Sequence, residues 1–171
     1  VPVDRSTIRY GLGAVKGTGQ GACEAVVAER ERAGHYQSLL DFCTRCESAK
    51  LNRRTLEAMI NAGALDDLGP NRASLTLQLP EVLKATDQLA REAAAGQVSL
   101  FGMPAGDAGG AALKLDLPES AEWSLRQLLD GERDTLGHYL SGHPFDPYRE
   151  EVKQLVGSDL GELDRLWGAA P

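Results

Sequence analysis

Nowhere in the sequence does an apolar run approach the ~20 residues a helix needs to cross a bilayer, and Val1-Pro2-Val3-Asp4 has neither the basic nor the apolar region of a signal peptide. A soluble, cytoplasmic protein is the expectation, with no membrane partner. The sequence opens without a Met and without a capped element, so it reads as a piece of something longer. Cysteine is scarce and odd in number, three residues in 171, which argues against a secreted disulfide scaffold and for a reducing compartment. Cys43-x-x-Cys46 has the spacing of a zinc half-site, with Cys23 and His35 nearby in sequence, but a second tight ligand pair is missing. No metal and no cofactor are expected, and the two thiols are read as half-buried helical side chains. An excess of basic charge is lacking too, the net charge being −7. Convincing period-two alternation is absent as well, which removes strands of useful length from consideration.

What remains is apolar residues at helical spacing, punctuated by Gly and Pro. At 42% hydrophobic residues the chain can bury a core, and we read it as all-α. The acidic charge is uneven: residues 1–86 hold 11 Lys+Arg against 10 Asp+Glu, and residues 87–171 hold 7 against 15. Phosphate contacts are therefore expected from the first half, and a protein partner for the second.

A short helical turn is expected over Gly11–Val15, then a helix over about Gln20–Arg32 ended by Gly34. Ser38 with Asp41 resembles a capping box for a helix over Leu39–Arg45. Asn52 is a plausible cap for the next helix, which runs to Asn61 with Gly63 as its stop. After Leu65-Asp66-Asp67-Leu68-Gly69, Pro70 suits a first helical turn, and the pattern continues to about Ala95 with Pro80 expected to kink or split it. Gly102–Ala112 holds four Gly and four Ala among eleven positions, a linker composition. Trp123, Leu125, Leu128, Leu129, Leu136, Tyr139 and Leu140 suggest a helical pair around Gly131, and a last helix is expected over about Pro147–Val156. This divides the chain into 1–86, a tandem pair of helix-hairpin-helix units; 87–101, a helix end and a docking peptide; 102–118, a linker; and 119–171, a C-terminal helical segment.

Lys16-Gly17-Thr18-Gly19-Gln20-Gly21 lies between two helical segments, where a helix-hairpin-helix places its glycine hairpin. Without Cβ atoms these glycines permit a tight turn and let the amides that open the second helix come close to a phosphate. Such contacts read the backbone and not the bases. Lys16 and Gln20 could add side-chain donors, while an ordinary inter-helix turn would use the same residues. The second unit is degenerate, with Ala62-Gly63-Ala64-Leu65 as its hairpin, and its expected task is to pack the first. Arg53, Arg54 and Arg72 could still touch phosphate from it.

Gln97-Val98-Ser99-Leu100-Phe101 stands where a helix end meets the Gly/Ala linker. Its two large apolar side chains either fold back on the helices or serve as a docking peptide, with the Gln97 amide fixing orientation and Leu100 and Phe101 filling an apolar pocket. Asp130-x-Glu132-x-Asp134 does not make an EF-hand, because the sixth and twelfth positions are Thr135 and Ser141. It is read as a solvated helix start. His138 and His143 have no catalytic partners and are read as structural.

Taken together these segments resemble the α-subunit family of bacterial DNA polymerase III, the replicative C-family polymerases. Ile8-Arg9-Tyr10-Gly11-Leu12-Gly13-Ala14-Val15-Lys16-Gly17 is similar to the family's first helix-hairpin-helix, and Leu51-Asn52-Arg53-Arg54 through Ala62-Gly63-Ala64-Leu65 to its second. Leu68-Gly69-Pro70-Asn71-Arg72-Ala73 and the long stretch Gly131 to Pro144 follow in the family's order. The resemblance reaches to about Val156. It implies that Gln97, Leu100 and Phe101 form the family's internal Gln-x-x-Leu/Met-Phe peptide for the β sliding clamp. It further implies that the first hairpin contacts duplex DNA and that the rest of the polymerase chain is a partner. The parent protein would be a DNA-directed DNA polymerase whose catalytic aspartates lie elsewhere, leaving this chain without catalytic residues. A structural linker inert toward DNA and clamp, or a helix-hairpin-helix repair module, would share much of this pattern.

Overall fold

The computed structural model describes residues 10–46, 51–94 and 117–156, in which six α-helices occur and no strand. They are α1 (Gln20–Ala33), α2 (Leu39–Arg45), α3 (Arg53–Asn61), α4 (Arg72–Ala94), α5 (Leu125–Leu136) and α6 (Arg149–Leu155), with 3-10 turns at Leu12–Ala14, Asp66–Leu68 and Asp146–Tyr148. The first expected turn is thus present in its tighter form.

Local chemistry sets most of the helix ends. Ser38 accepts from the Asp41 amide to open α2, and Asn52 accepts from the Thr55 amide to open α3. Asn71, one residue past the expected Pro70 start, accepts from the Ser74 amide at 2.7 Å in the first turn of α4. α3 closes with two bonds, Gly63 N–H to Ile60 O and Ala64 N–H to Met59 O, both 2.9 Å, around Gly63 at φ +75°. That is the Schellman arrangement, and it needs a left-handed residue at this point. α5 opens on a reciprocal Ser124–Gln127 capping box and closes at Gly137, φ +85°.

α4 packs across α2 and α3, and α5 lies against α3. Leu39, Phe42, Leu56, Met59, Ile60, Leu75, Leu79 and Val82 are almost completely removed from solvent at these contacts. Each such side chain contributes about 1.5–3 kcal/mol by leaving water. α1 joins this core through Val26, and it is fastened to the α2 side by polar groups. The Arg45 guanidinium bonds the Glu29 and Asp41 carboxylates and the carbonyls of Glu29, Gly34 and His35, and lies 4.3 Å from the Tyr36 ring centre. Arg32 and Arg45 hold the Glu29 carboxyl down at about 2.

Two expectations need correction. α4 passes through Pro80 without ending, so the helix is not split. Residues 125–136 form one helix through Gly131 and not a pair around it. A Cβ at Gly131 would sit 3.4 Å from Asn61 Cβ, so this glycine brings α5 close to the end of α3. Cys43 and Cys46 belong to the core, and burial with the nearby Cys46 pushes the Cys43 thiol up to about 12, a protonated apolar side chain. Among the described residues no three His, Cys, Asp or Glu side chains are grouped as a metal site, and no helix is long and apolar enough to cross a membrane.

Candidate nucleic-acid interface

The turn between the Leu12–Ala14 segment and α1 is built by buried Val15, whose carbonyl accepts from Thr18 N–H at 3.1 Å, and by Gly17 at φ +87°. Only glycine takes that φ without strain. Gly19 then stands as the extended residue before α1, and the amides of Gln20, Gly21 and Ala22 open the helix. Cys23 N–H is the first to find an acceptor, Gly19 O at 3.1 Å; among the described residues nothing accepts from the three before it. Such unpaired first-turn amides carry the positive end of the helix dipole.

The surroundings leave these amides open. A Cβ added at Gly11, Gly17, Gly19 or Gly21 would meet nothing within 4 Å. For Gly17 the positive φ explains the residue. Gly19 at φ −72° and helical Gly21 have no such reason, and glycine inside a helix costs about 1 kcal/mol relative to Ala. Among the described residues an internal demand for these two is therefore missing, whereas close approach of an outside group to the backbone would supply one.

Lys16 is exposed, and among the described residues its ammonium has no carboxylate partner. It borders a groove with Gly17, Asn52, Arg54, Thr55 and Asp134, so one carboxylate shares that surface with two cations. Gln20 is tied along α1, its amide donating to Glu24 at 2.8 Å. Thr18 takes part in the turn through its N–H only, its hydroxyl oxygen being buried without a hydrogen-bond partner. Two other elements brace the hairpin: Lys16 N–H donates to Thr135 O at 2.9 Å, near the end of α5, and the Thr55 hydroxyl donates to Gly17 O at 3.2 Å, near the start of α3. Lys16, Gly17, Thr18, Gly19, Gln20 and Gly21 form the turn and the opening of α1. Gln97, Val98, Ser99, Leu100 and Phe101 lie outside the described residues.

The second hairpin is filled. The Glu122 carboxylate accepts from the amides of Arg72 (3.0 Å) and Ala73 (3.1 Å), the positions that correspond to the open amides of α1. Burial alone would raise its pKa; the amides of Trp123, Arg72 and Ala73, with the Arg72 charge, outweigh that and hold it below the ordinary carboxylate value. Arg72 turns inward over Gly63, where a Cβ would come within 2.2 Å of its Nη2. It bonds Asp66 through Nε and Nη2 at 2.8 and 2.9 Å, and Glu132 through Nη1 at 2.9 Å. Glu132, 0% exposed, also accepts from the Leu140 amide at 2.6 Å, from the Ser141 amide at 3.0 Å and from the Ser141 hydroxyl. Burial would raise its pKa, and these donors lower it on balance. Two expectations are overturned: Arg72, 7% exposed, cannot reach phosphate, and Glu132 is no part of a solvated helix start. Arg53 pairs with Glu57 at 2.8 Å, and Arg54 is exposed with no carboxylate partner among the described residues.

Residues 1–75, which contain both hairpins, match a family model described as a helix-hairpin-helix motif. DNA polymerase III subunit alpha of Xylella fastidiosa (strain Temecula1) is 64% identical over 165 residues, 95% of this chain and 14% of that protein. The chain is a homologue of one segment of the DNA polymerase III α subunit. The same protein of Escherichia coli (strain K12) is 43% identical over 154 residues, covering 90% of this chain and 13% of the relative. That of Haemophilus influenzae is 40% identical over 168 residues, covering 94% and 14%. The chain spans about one seventh of the length of these curated relatives.

Proposed function

We propose that this segment holds duplex DNA by its backbone at the first hairpin and attaches the polymerase to its β sliding clamp through Gln97-Val98-Ser99-Leu100-Phe101, supporting processive replication without catalysis of its own. The observation that carries the DNA reading is the row of amides at Gln20–Ala22 that have no acceptor among the described residues, beside Lys16 and beside Gly19 and Gly21, to which no described residue comes close. Amides and dipole offer a charge-assisted site to a phosphate oxygen, and nothing in the hairpin reads a base edge. Contact is therefore sequence-indifferent and salt-sensitive. The clamp reading rests on the residues Gln97, Leu100 and Phe101 themselves, within a segment homologous to a replicative polymerase subunit.

Two weak contacts suffice. A five-residue peptide that pays ordering entropy binds with a Kd on the order of micromolar. Once DNA threads the clamp and also lies on the hairpin, an effective concentration of about millimolar keeps the peptide engaged most of the time.

The test uses the intact polypeptide. Lys16→Ala should weaken duplex binding about uniformly across sequences and reduce the salt slope by about 1. Gln97→Ala with Phe101→Ala should remove clamp binding in calorimetry with little loss of helicity. No duplex binding even at low salt would show the hairpin to be structural only, and an unchanged clamp affinity would end the tether reading.

A further inference from the structure

Although Arg72 and Glu132 are far from the open amides in sequence, one helix connects them to the first hairpin. Glu132 fixes α5 from inside, through Arg72 on one side and the amides of Leu140 and Ser141 on the other. One turn further on, the Thr135 hydroxyl donates back to Gly131 O at 2.6 Å, and the Thr135 carbonyl, beyond the last intrahelical bond, accepts from Lys16 N–H. Since Lys16 immediately precedes the left-handed Gly17, the position of Thr135 O sets where the glycine turn begins. Gly131 allows this by letting α5 sit close on Asn61 at the end of α3.

We propose that Glu132 is a positioning residue for the first hairpin: by anchoring α5 it places the Thr135 carbonyl that holds Lys16-Gly17, so the filled second hairpin aligns the open first one. The consequence for DNA rests on the hairpin being the duplex contact; the consequence for Lys16 does not. Burial of a paired carboxylate with four donors converging on it gives a rigid point of attachment, because each donor would lose its partner if α5 moved.

Glu132→Gln in the intact polypeptide keeps the shape and removes the charge. Amide exchange at Lys16 should accelerate at least about ten-fold, while the α2 amides of Phe42 and Cys43 stay as slow as before. Asp66→Asn serves as the comparison, since it removes a half-exposed partner of Arg72 and leaves Glu132 in place. It should lower Tm without changing Lys16 exchange. With duplex, Glu132→Gln should weaken binding about three- to ten-fold, and added to Lys16→Ala it should cost less than the two effects multiplied, as coupled positions do. Unchanged Lys16 exchange in Glu132→Gln overturns the proposal whatever the DNA result, as does equal acceleration by Asp66→Asn. If Lys16 exchange rises while the polypeptide binds no duplex even at low salt, the positioning role stands and the DNA reading of the hairpin fails.

Discussion

The two hairpins follow one plan and differ in what stands at the start of their second helix. Among the described residues nothing covers the first-turn amides of α1 or the glycines beside them, and nothing pairs with the nearby cation. At α4 a carboxylate of the chain itself occupies the corresponding amides, and the cation of that turn, Arg72, is buried between Asp66 and Glu132. Glu122 does for the second hairpin what a phosphate would do for the first. The same element is thus left open once and filled once, and the filled copy is the joint that steadies an exposed glycine turn.

The largest effect should come from breaking the joint. Arg72→Met leaves Glu132 with its charge buried and without the one cationic partner it has among the described residues, which costs about 3–5 kcal/mol; urea denaturation of the intact polypeptide checks it. A loss below about 1 kcal/mol would mean that the Leu140 and Ser141 donors alone hold the carboxylate, and that the second hairpin is less of a joint than it looks.

The comparison is sharpened by making one substitution in both places. At Gly63 alanine must adopt φ +75°, costing about 1–2 kcal/mol, and its Cβ meets a guanidinium that two carboxylates keep from moving aside. At Gly21 the same change meets nothing and gains about 0.5–1 kcal/mol of helix propensity. Gly63→Ala should therefore lower Tm, while Gly21→Ala should raise it and weaken duplex binding. A Gly21→Ala protein that is more stable and binds duplex as before would remove the functional reason for that glycine.

Much of this fold could be read along the chain because its helix ends are local events. Ser38, Asn52 and Gly63 act within one turn of themselves, and they stop or start helices where their chemistry says. The first hairpin was legible for the same reason. Glu122 was not, since its partners lie about fifty residues away and no local pattern points to them. Arg72 and Glu132 did leave a signal. Arg72 precedes Leu75 and Leu79 by three and seven residues, and Glu132 falls between Leu129 and Leu136 at spacings of three and four. Charged residues at stripe positions of two helices are candidates for a buried pair. Pro80 misled because tertiary packing of α4 on α2 and α3 outweighs one lost helix bond.

The smallest expected effect bears most directly on the stand-in role of Glu122. Glu122→Gln keeps an acceptor at the α4 amides and loses the charge, so it should cost about 0.5–1 kcal/mol at neutral pH. Because the folded protein holds this carboxyl below its ordinary value of 4.5, the stabilisation is present above that pH and is lost as pH falls through the lower folded value. The difference in stability between the two proteins should accordingly shrink in acid and vanish once both side chains are neutral. A difference that persists at low pH would assign the effect to packing of the amide. Duplex affinity at neutral pH is the companion measurement: it should stay within about two-fold of the parent, since glutamine still covers the amides and Arg72 remains buried. A steeper salt dependence in Glu122→Gln would instead mean that the second hairpin had gained a phosphate contact, and that the carboxylate, and not the burial of Arg72, was what kept DNA away.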